Sequence, residues 1–550
     1  MRLVRALPLA GAALVFLGAC AGPPSGEPSP AAVGDPATES PLEWTGVTRR
    51  VPQDYPNIQA GVDAADPGDL VLVDHGTYRE RVTVTTPGLT IRGTSRNDVV
   101  IDGEFERPNG VEVLFADGVA IENMTSINNT VNGFFWTGVR GFRGSYLTAV
   151  NNGDYGIYAF DSSDGLFEHS YASGSPDAAY YIGQCNPCES VIVDSIGEWS
   201  GLGYSGTNAS TDVYIVENVF RYNGAGVAPN SLDSELLPPA ENIVIAGNLI
   251  HDNGYEPFPH KTAQWATRGN GIVMAGVQTS LAMRNRVLNH PESGIAVIPN
   301  VDDNVYTSSD NEIVDNVVAG SGLADLTLTG PAGPDNCFAG NTFTSSMPPL
   351  LELTQPCEGW RFPARFEMGS FSAFFGRFLE AELGIDQETF YGDMPYPPPQ
   401  PQMDGGPEAP VIPAVGVFAA SKPGLDEIAL PSMPDGVDVT QEKGLNIMGV
   451  TFASTIGGLL GLYAYILPLA LYAAWLGIAM WEIIRRDDLG TGAGIAWMFA
   501  ILVIPLLGVL AYYILGRSRI PAVYRWVMLA GGIAVYALLL LVGLFAAGVV

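Results

Sequence analysis

Asn109-Gly110-Val111-Glu112-Val113 is followed 23 residues later by Asn132-Gly133-Phe134-Phe135-Trp136, and after the same interval by Tyr155-Gly156-Ile157-Tyr158-Ala159. The series continues through Ala178-Ala179-Tyr180-Tyr181-Ile182, Leu202-Gly203-Tyr204-Ser205 and Ala225-Gly226-Val227-Ala228. After a doubled interval it resumes at Asn270-Gly271-Ile272-Val273-Met274 and Ser293-Gly294-Ile295-Ala296-Val297. Repeats of this size are stacked units, none of which can bury a core alone. Each unit holds short strand-like runs separated by Gly, Asn and Asp, with no run of helical period between them. The chain therefore reads as a coil of parallel strands, one turn per repeat.

A second repeat keeps the same register: Asn218, Asn248, Asn285, Asn316 and Asn341 each stand just before a short apolar run. Asn tolerates left-handed backbone and bonds neighbouring backbone groups, which suits a corner between strands. Stacked in register, such residues also form an internal amide ladder.

Strand side chains alternate, so the residue after each motif glycine should face in and the next one out. That places Ile157, Tyr180, Ile272 and Ile295 in the core. It places Phe135, Tyr158 and Tyr181 in an outward column at one-rung spacing, about 4.8 Å apart. Asp161, Gln184, Asn208 and Asn230 form a polar column beside them. Aromatic faces with convergent amides and carboxylates are what a sugar-binding surface needs.

The doubled interval between Gly226 and Gly271 marks an insertion, and long loops on a rigid coil are where sites usually sit. Candidate catalytic groups there are Asp233, Glu235, His251, His260, Lys261 and Arg268, with Asp252 and Glu256 nearby. A lyase needs a base such as Lys, Arg or His near a uronate, and a hydrolase needs two carboxyl groups at a set separation. Both kinds of residue are present, and no motif fixes their geometry.

The opening of the repeat region resembles the right-handed parallel β-helix proteins, the superfamily of pectate-lyase-like and carbohydrate-binding chains. Tyr55-Pro56-Asn57-Ile58-Gln59-Ala60-Gly61-Val62-Asp63-Ala64-Ala65 is similar to the short amphipathic helix that caps such a coil. Pro67-Gly68-Asp69-Leu70-Val71-Leu72-Val73 and Gly76-Thr77-Tyr78-Arg79-Glu80 resemble its first rung, and Leu89-Thr90-Ile91-Arg92-Gly93 and Val100-Ile101-Asp102-Gly103 the next strands. The resemblance spans about 50–360 and implies 12 or 13 turns. It says little of activity, because the fold hosts lyases, hydrolases, epimerases, adhesins and non-catalytic binders.

Around the coil, composition divides the chain. Residues 1–20 have the form of an export signal, with Arg2 and Arg5 before an apolar stretch too short to span a bilayer. Leu17-Gly18-Ala19-Cys20 resembles the bacterial lipobox, which implies a lipidated Cys20. A Pro/Ser/Gly-rich tether covers 21–45 and the β-helix 46–360. A capping or interfacial helix is expected over 361–390, a Pro-rich stalk over 391–445 and a transmembrane domain over 446–550, with spans at 456–484, 495–515 and 523–550. With the coil exported, Arg485-Arg486 falls inside and Arg517, Arg519 and Arg525 fall outside, the latter against the charge rule.

Besides Cys20 the chain has Cys185, Cys188, Cys337 and Cys357. An even number in an exported protein favours two disulfides, most simply Cys185–Cys188 and Cys337–Cys357. Cys185-Asn186-Pro187-Cys188 could instead be a redox or metal motif, though it lacks a βαβ setting and a second pair of ligands. Trp497, Pro505-Leu506-Leu507-Gly508, Tyr512 and Gly516-Arg517 resemble the N-terminal membrane segment of phospholipase D-type cardiolipin synthases. That family's catalytic H-x-K-x4-D motif is absent, since His260-Lys261 has the wrong spacing, so phospholipase activity does not carry over.

A net charge of −32 with three lysines argues against nucleic acid or an acidic lipid surface as partner. Ca²⁺ could be attracted to that part, but no acidic cluster has EF-hand spacing, and no cofactor is implied. The leading expectation is an extracytoplasmic β-helix lipoprotein, anchored in the cytoplasmic membrane, that binds envelope or extracellular polysaccharide. The rivals are a polysaccharide lyase, epimerase or hydrolase on the same scaffold, and a subunit of a membrane-protein complex.

Overall fold

The computed structural model describes residues 47–255, 258–261, 267–361, 422–434, 436–437, 475–486, 488–503, 507–516 and 518–521, with 526 and 530. The signal, Cys20, the tether, Glu256, the helix expected over 361–390 beyond its first residue and most of the three spans lie outside these residues. The chain forms two compact units, Met1–Lys443 and Gly444–Val550.

The first unit is a parallel β-helix. Its described strands form sheets of twelve, eleven and ten strands, and neighbours in each sheet come from successive turns. The glycine-led repeats are the eleven-stranded sheet, in which Phe134 pairs with Ile157, Ile157 with Tyr180, and Tyr180 with Tyr204. Val227 pairs directly with Ile272, so the doubled interval is one turn carrying extra loops and not a missing rung. Inward residues of all three sheets make one core, with Ile157, Tyr180, Ile272 and Ile295 fully buried as alternation requires. Trp136, Phe142 and Phe167 pack together inside, at 5.2 to 6.0 Å between ring centroids. Gly165 makes room for them, since a Cβ there would lie 1.8 Å from the Phe142 ring.

The N-terminal end is capped as expected. Helix Ile58–Asp63 buries Ile58, Gly61 and Val62, and its N-cap Asn57 accepts from the Ala60 N–H. The Glu80 carboxylate accepts from the Ile58 and Gln59 N–H groups, both at 2.9 Å, the charge a helix N-terminus favours.

The five asparagines stack in one buried ladder. Nδ2 of Asn218, Asn248, Asn285 and Asn316 each donates to Oδ1 of the next, at 2.9 to 3.1 Å. A second ladder runs Asn223 to Asn253 and ends on His290 Nε2. In the first ladder the left-handed corner falls one residue earlier than the sequence suggests. Glu217, Gly247, Arg284, Asp315 and Gly340 carry the positive φ, which leaves each Asn free to aim its amide along the stack.

Both disulfides form as expected, Cys185–Cys188 and Cys337–Cys357. The second closes a 20-residue separation at the last turns. Cys337→Ala with Cys357→Ala should lower unfolding free energy by about 3 kcal/mol, the loop-entropy value for such a closure, as read by urea denaturation.

The described part of the Pro-rich segment lies against the coil. Ile428 is buried among Val191, Val216, Ala246 and Met283 on the outside of the twelve-stranded sheet. Arg284 Nη1 donates to the Leu425 and Ile428 carbonyls, Arg286 Nε to Pro431 O, and Lys422 pairs with Asp212 at 2.5 Å.

In the second unit, helices Thr491–Val503 and Leu507–Leu515 occupy the stretch expected to be a single span, and Arg519, expected across a membrane from Arg486, instead pairs with the same Asp488 as Arg486 does. They fold back on each other at Gly508, where a Cβ would sit 2.2 Å from the Ala500 carbonyl oxygen. Tyr512 and Tyr513 are buried against Trp475, Ile483 and Ile501. Among the described residues, no helix is long and apolar enough to cross a membrane.

Candidate functional site

The outer surface of the eleven-stranded sheet carries the aromatic column. Phe135 and Tyr158 stack with centroids 5.0 Å apart and 13° between planes, and Tyr181 meets Tyr158 edge-on at 4.7 Å. Tyr155 lies parallel to Tyr158 at 4.3 Å. Phe135, Tyr158 and Phe160 are half-buried, whereas Tyr155 and Tyr181 are covered. At the neighbouring corner Phe115 is 78% exposed, with its ring over Gly138. The open part of the surface is therefore Phe115, Phe135, Tyr158 and Phe160, with exposed Asp161 beside it.

Two loops close the other side. The first, 231–239, is pinned along its length. Asn208 Nδ2 donates to Leu232 O and Glu235 O, its Oδ1 accepts from the Leu232 N–H, and Gln184 Oε1 accepts from the Leu236 N–H at 2.9 Å. Asp233 accepts from the Asn304 N–H, the Asn304 amide and the Tyr306 hydroxyl, and these bonds, that of Tyr306 foremost, hold its carboxyl below the usual range. Asp233 thus staples the loop to a small hairpin, Asn300–Val301 with Val305–Tyr306. Asn230 is engaged by Thr207 Oγ1. Of the polar column, Gln184 and Asn208 hold this loop, and Asp161 faces solvent.

The purpose of that fixation is visible at Glu235. Its side chain is buried over the aromatic column, and the Tyr181 hydroxyl donates to its Oε2 at 2.5 Å. Burial pushes the carboxyl up to about 8; the Tyr181 bond opposes this and nearby Asp177 adds to it. Glu235 is a neutral acid at pH 7 in this setting.

The second loop, 252–270, is anchored by Phe258, buried on Gly224 where a Cβ would lie 2.6 Å from its ring. It brings the Lys261 ammonium to Asp154 and to Asp177 Oδ2, the latter at 3.4 Å. Asp154 and Asp177 occupy successive rungs, joined by the Asp177 N–H to Asp154 O bond. Burial raises the Asp154 carboxyl to about 6, against the pull of Lys261 and with a further push from Asp177. His260 is buried beside Lys261, its Nδ1 3.3 Å from the Lys261 carbonyl. Arg268 is half-buried farther along the same loop.

The structure does not bring every candidate here. His251 belongs to strand Leu249–His251 of the ten-stranded sheet, its Nδ1 2.7 Å from Asp252, and so lies on another face of the coil. Conversely, Asp154, Asp177 and Tyr155 were not singled out by sequence. Their signal is faint: two acids at one-rung spacing just ahead of the motif strands. Among the described residues no group of three His, Cys, Asp or Glu is arranged to hold a metal.

By structure the coil is similar to the A-module of a mannuronan C-5 epimerase from Azotobacter vinelandii, at 16% identity and a TM-score of 0.40 over 52% of this chain and 90% of that one. It is also similar to an alginate lyase from a Paenibacillus species (15%, TM-score 0.30, 54% and 99% covered) and to a pectate lyase (14%, TM-score 0.32, 52% and 72% covered). These are likenesses of fold. Residues 473–517 match the phospholipase D-nuclease N-terminal family. A comparison with curated proteins by sequence finds no match.

Proposed function

We propose that the protein binds a polysaccharide across the outer face of the eleven-stranded sheet. The observation that carries this is the column of half-buried aromatics at rung spacing, Phe135 on Tyr158, beside fixed polar groups. Ring faces of sugars take up such apolar area, and hydroxyls take up the acids and amides around it. Tyr158→Ala should weaken glycan binding by about tenfold or more, since truncating an aromatic hot spot at the centre of an interface costs about 2 kcal/mol or above. A glycan array followed by calorimetry on a fragment ending at Lys443 tests this. Binding to no glycan, or affinity unchanged in the variant, would sink it.

A second, enzymatic reading is favoured by one observation, a neutral acid and ionisable carboxylates on one face. Glu235 would give its proton to the glycosidic oxygen as the C–O bond breaks. Asp154 or Asp177 would take a proton from the water whose oxygen bonds to the anomeric carbon. Elimination from a uronate fits less well: the substrate carboxylate would face three acidic side chains, and Lys261 already serves two of them.

We infer further that the β-helix lies outside the cytoplasmic membrane, held by lipid on Cys20 and by apolar segments after 456. Two anchors hold more firmly than one acyl chain, so Cys20→Ser should remain in the membrane fraction. Release of that variant would overturn the helical anchors.

A further inference from the structure

In the second unit, a cavity of about 270 Å³ opens where helix 475–484 meets the residues after Leu507–Leu515. Arg485, Arg486, Arg519 and Glu482 line it, with Trp481 and Ile478. The charges are unequally satisfied. Glu482 accepts from Ser518 Oγ at 2.7 Å and from the Arg519 N–H. Asp488 pairs with both Arg486, at 2.7 Å, and Arg519, at 2.6 Å, and Arg486 also donates to Gly516 O. Arg485 lies over the Trp481 ring, 4.7 Å from its centroid, and forms no ion pair with a carboxylate among the described residues. Among the described residues, three guanidiniums here meet two carboxylates, Glu482 and Asp488.

The rest of the lining is apolar. Ile478, Trp481 and Ile520 line the same cavity, and Trp481 and Ile478 are exposed. A guanidinium fork matches phosphate oxygens, and an aromatic beside it suits the boundary between headgroup and hydrocarbon. A free phosphate would use the arginines and leave the apolar rim uncovered. An amphiphile would use both.

We propose that this cavity is a headgroup site for an anionic phospholipid, with the phosphate on Arg485 and Arg519 and the acyl chains over Trp481 and Ile478. The proposal rests on the apolar segments after 456 meeting a bilayer, with Arg485, Arg486 and Arg519 on one side of it as the shared cavity requires, and is independent of the glycan face. It is a site distinct from phospholipase chemistry, whose catalytic motif the chain lacks.

The test is native mass spectrometry of the full chain, extracted in neutral detergent and offered dioctanoyl phosphatidylglycerol, dioctanoyl phosphatidylcholine or inorganic phosphate. One phosphatidylglycerol should be retained at least tenfold more strongly than phosphatidylcholine. Arg485→Gln should remove that preference, while Arg485→Lys keeps part of it. Arg485 is exposed and holds no other element, so the variants test binding and not folding. Equal retention of the two lipids, or an unchanged preference in Arg485→Gln, overturns the proposal. Displacement of the lipid by equimolar inorganic phosphate would assign the site to free phosphate and also overturn it. Recovery of the chain in the soluble fraction would overturn the membrane reading itself, whereas a membrane-extracted chain that retains no anionic lipid overturns this proposal alone.

Discussion

If the protein is the glycoside hydrolase of the second reading, Glu235→Gln is expected to lower glycan turnover by about 10²- to 10⁴-fold, the range that general acid catalysis contributes, and to leave glycan binding close to that of the parent. The same variant carries a signature that needs no substrate. The folded carboxyl holds its proton up to about 8, while the ordinary value is 4.5. As pH rises from 4.5 towards 8 the unfolded chain releases this proton and the folded chain does not, so stability falls across that window. Glutamine cannot titrate, and Glu235→Gln should flatten that part of the stability profile. Denaturant midpoints measured between pH 4 and 9 would show it. A profile identical to the parent's would mean that Glu235 is ionised in the fold, and the acid role would go with it.

The largest effect on stability is expected at Glu122. It is fully buried between two arginines on the outside of the twelve-stranded sheet. Arg92 Nε donates to its Oε2 at 2.5 Å, and Arg143 reaches its Oε1 at 2.5 Å and Glu168 beyond. Glu122→Ala leaves buried Arg92 facing Arg143 without the carboxylate between them. Removing one partner of a buried pair costs about 3–5 kcal/mol, mostly the penalty of the charge left behind. Glu122→Gln keeps the shape and part of the hydrogen bonding, and should cost less. Urea unfolding of a fragment ending at Lys443 would measure both, and a loss below about 1 kcal/mol for Glu122→Ala, the scale of a surface pair, would contradict the assignment.

The fold was legible in the sequence because a coil writes its geometry as a period. Ile157, Tyr180, Ile272 and Ile295 could be placed inside from spacing alone, and the asparagine ladder from Asn218 to Asn341 likewise. Phe135 and Tyr158 were legible on the outer face for the same reason, whereas Tyr181, expected open beside them, is buried and bonded to Glu235. The rest of the site was not, because its partners are distant in sequence. Lys261 meets Asp154 across 107 residues and Tyr181 meets Glu235 across 54. No local pattern reports which loop crosses which rung. Asp154 and Asp177 look like any corner acids until a lysine is laid over them. Gln184 and Asn208 looked like ligands because their column borders the aromatics, yet their amides serve the backbone of 231–237.

The contacts of residues 422–434 change what the preceding chain can be used for. Arg361 is tied to Asp335 and Lys422 to Asp212, so the sixty residues between them begin and end on the coil. A segment with both ends fastened to one body is a bight in a rope, and its length does not set the reach of whatever follows. Doubling such a loop costs only about 0.6 kcal/mol in closure entropy. Residues 422–437 belong with the β-helix, Met433 and Val437 packing on Leu288 and Ala319, so a fragment meant to keep that unit whole should end beyond Val437.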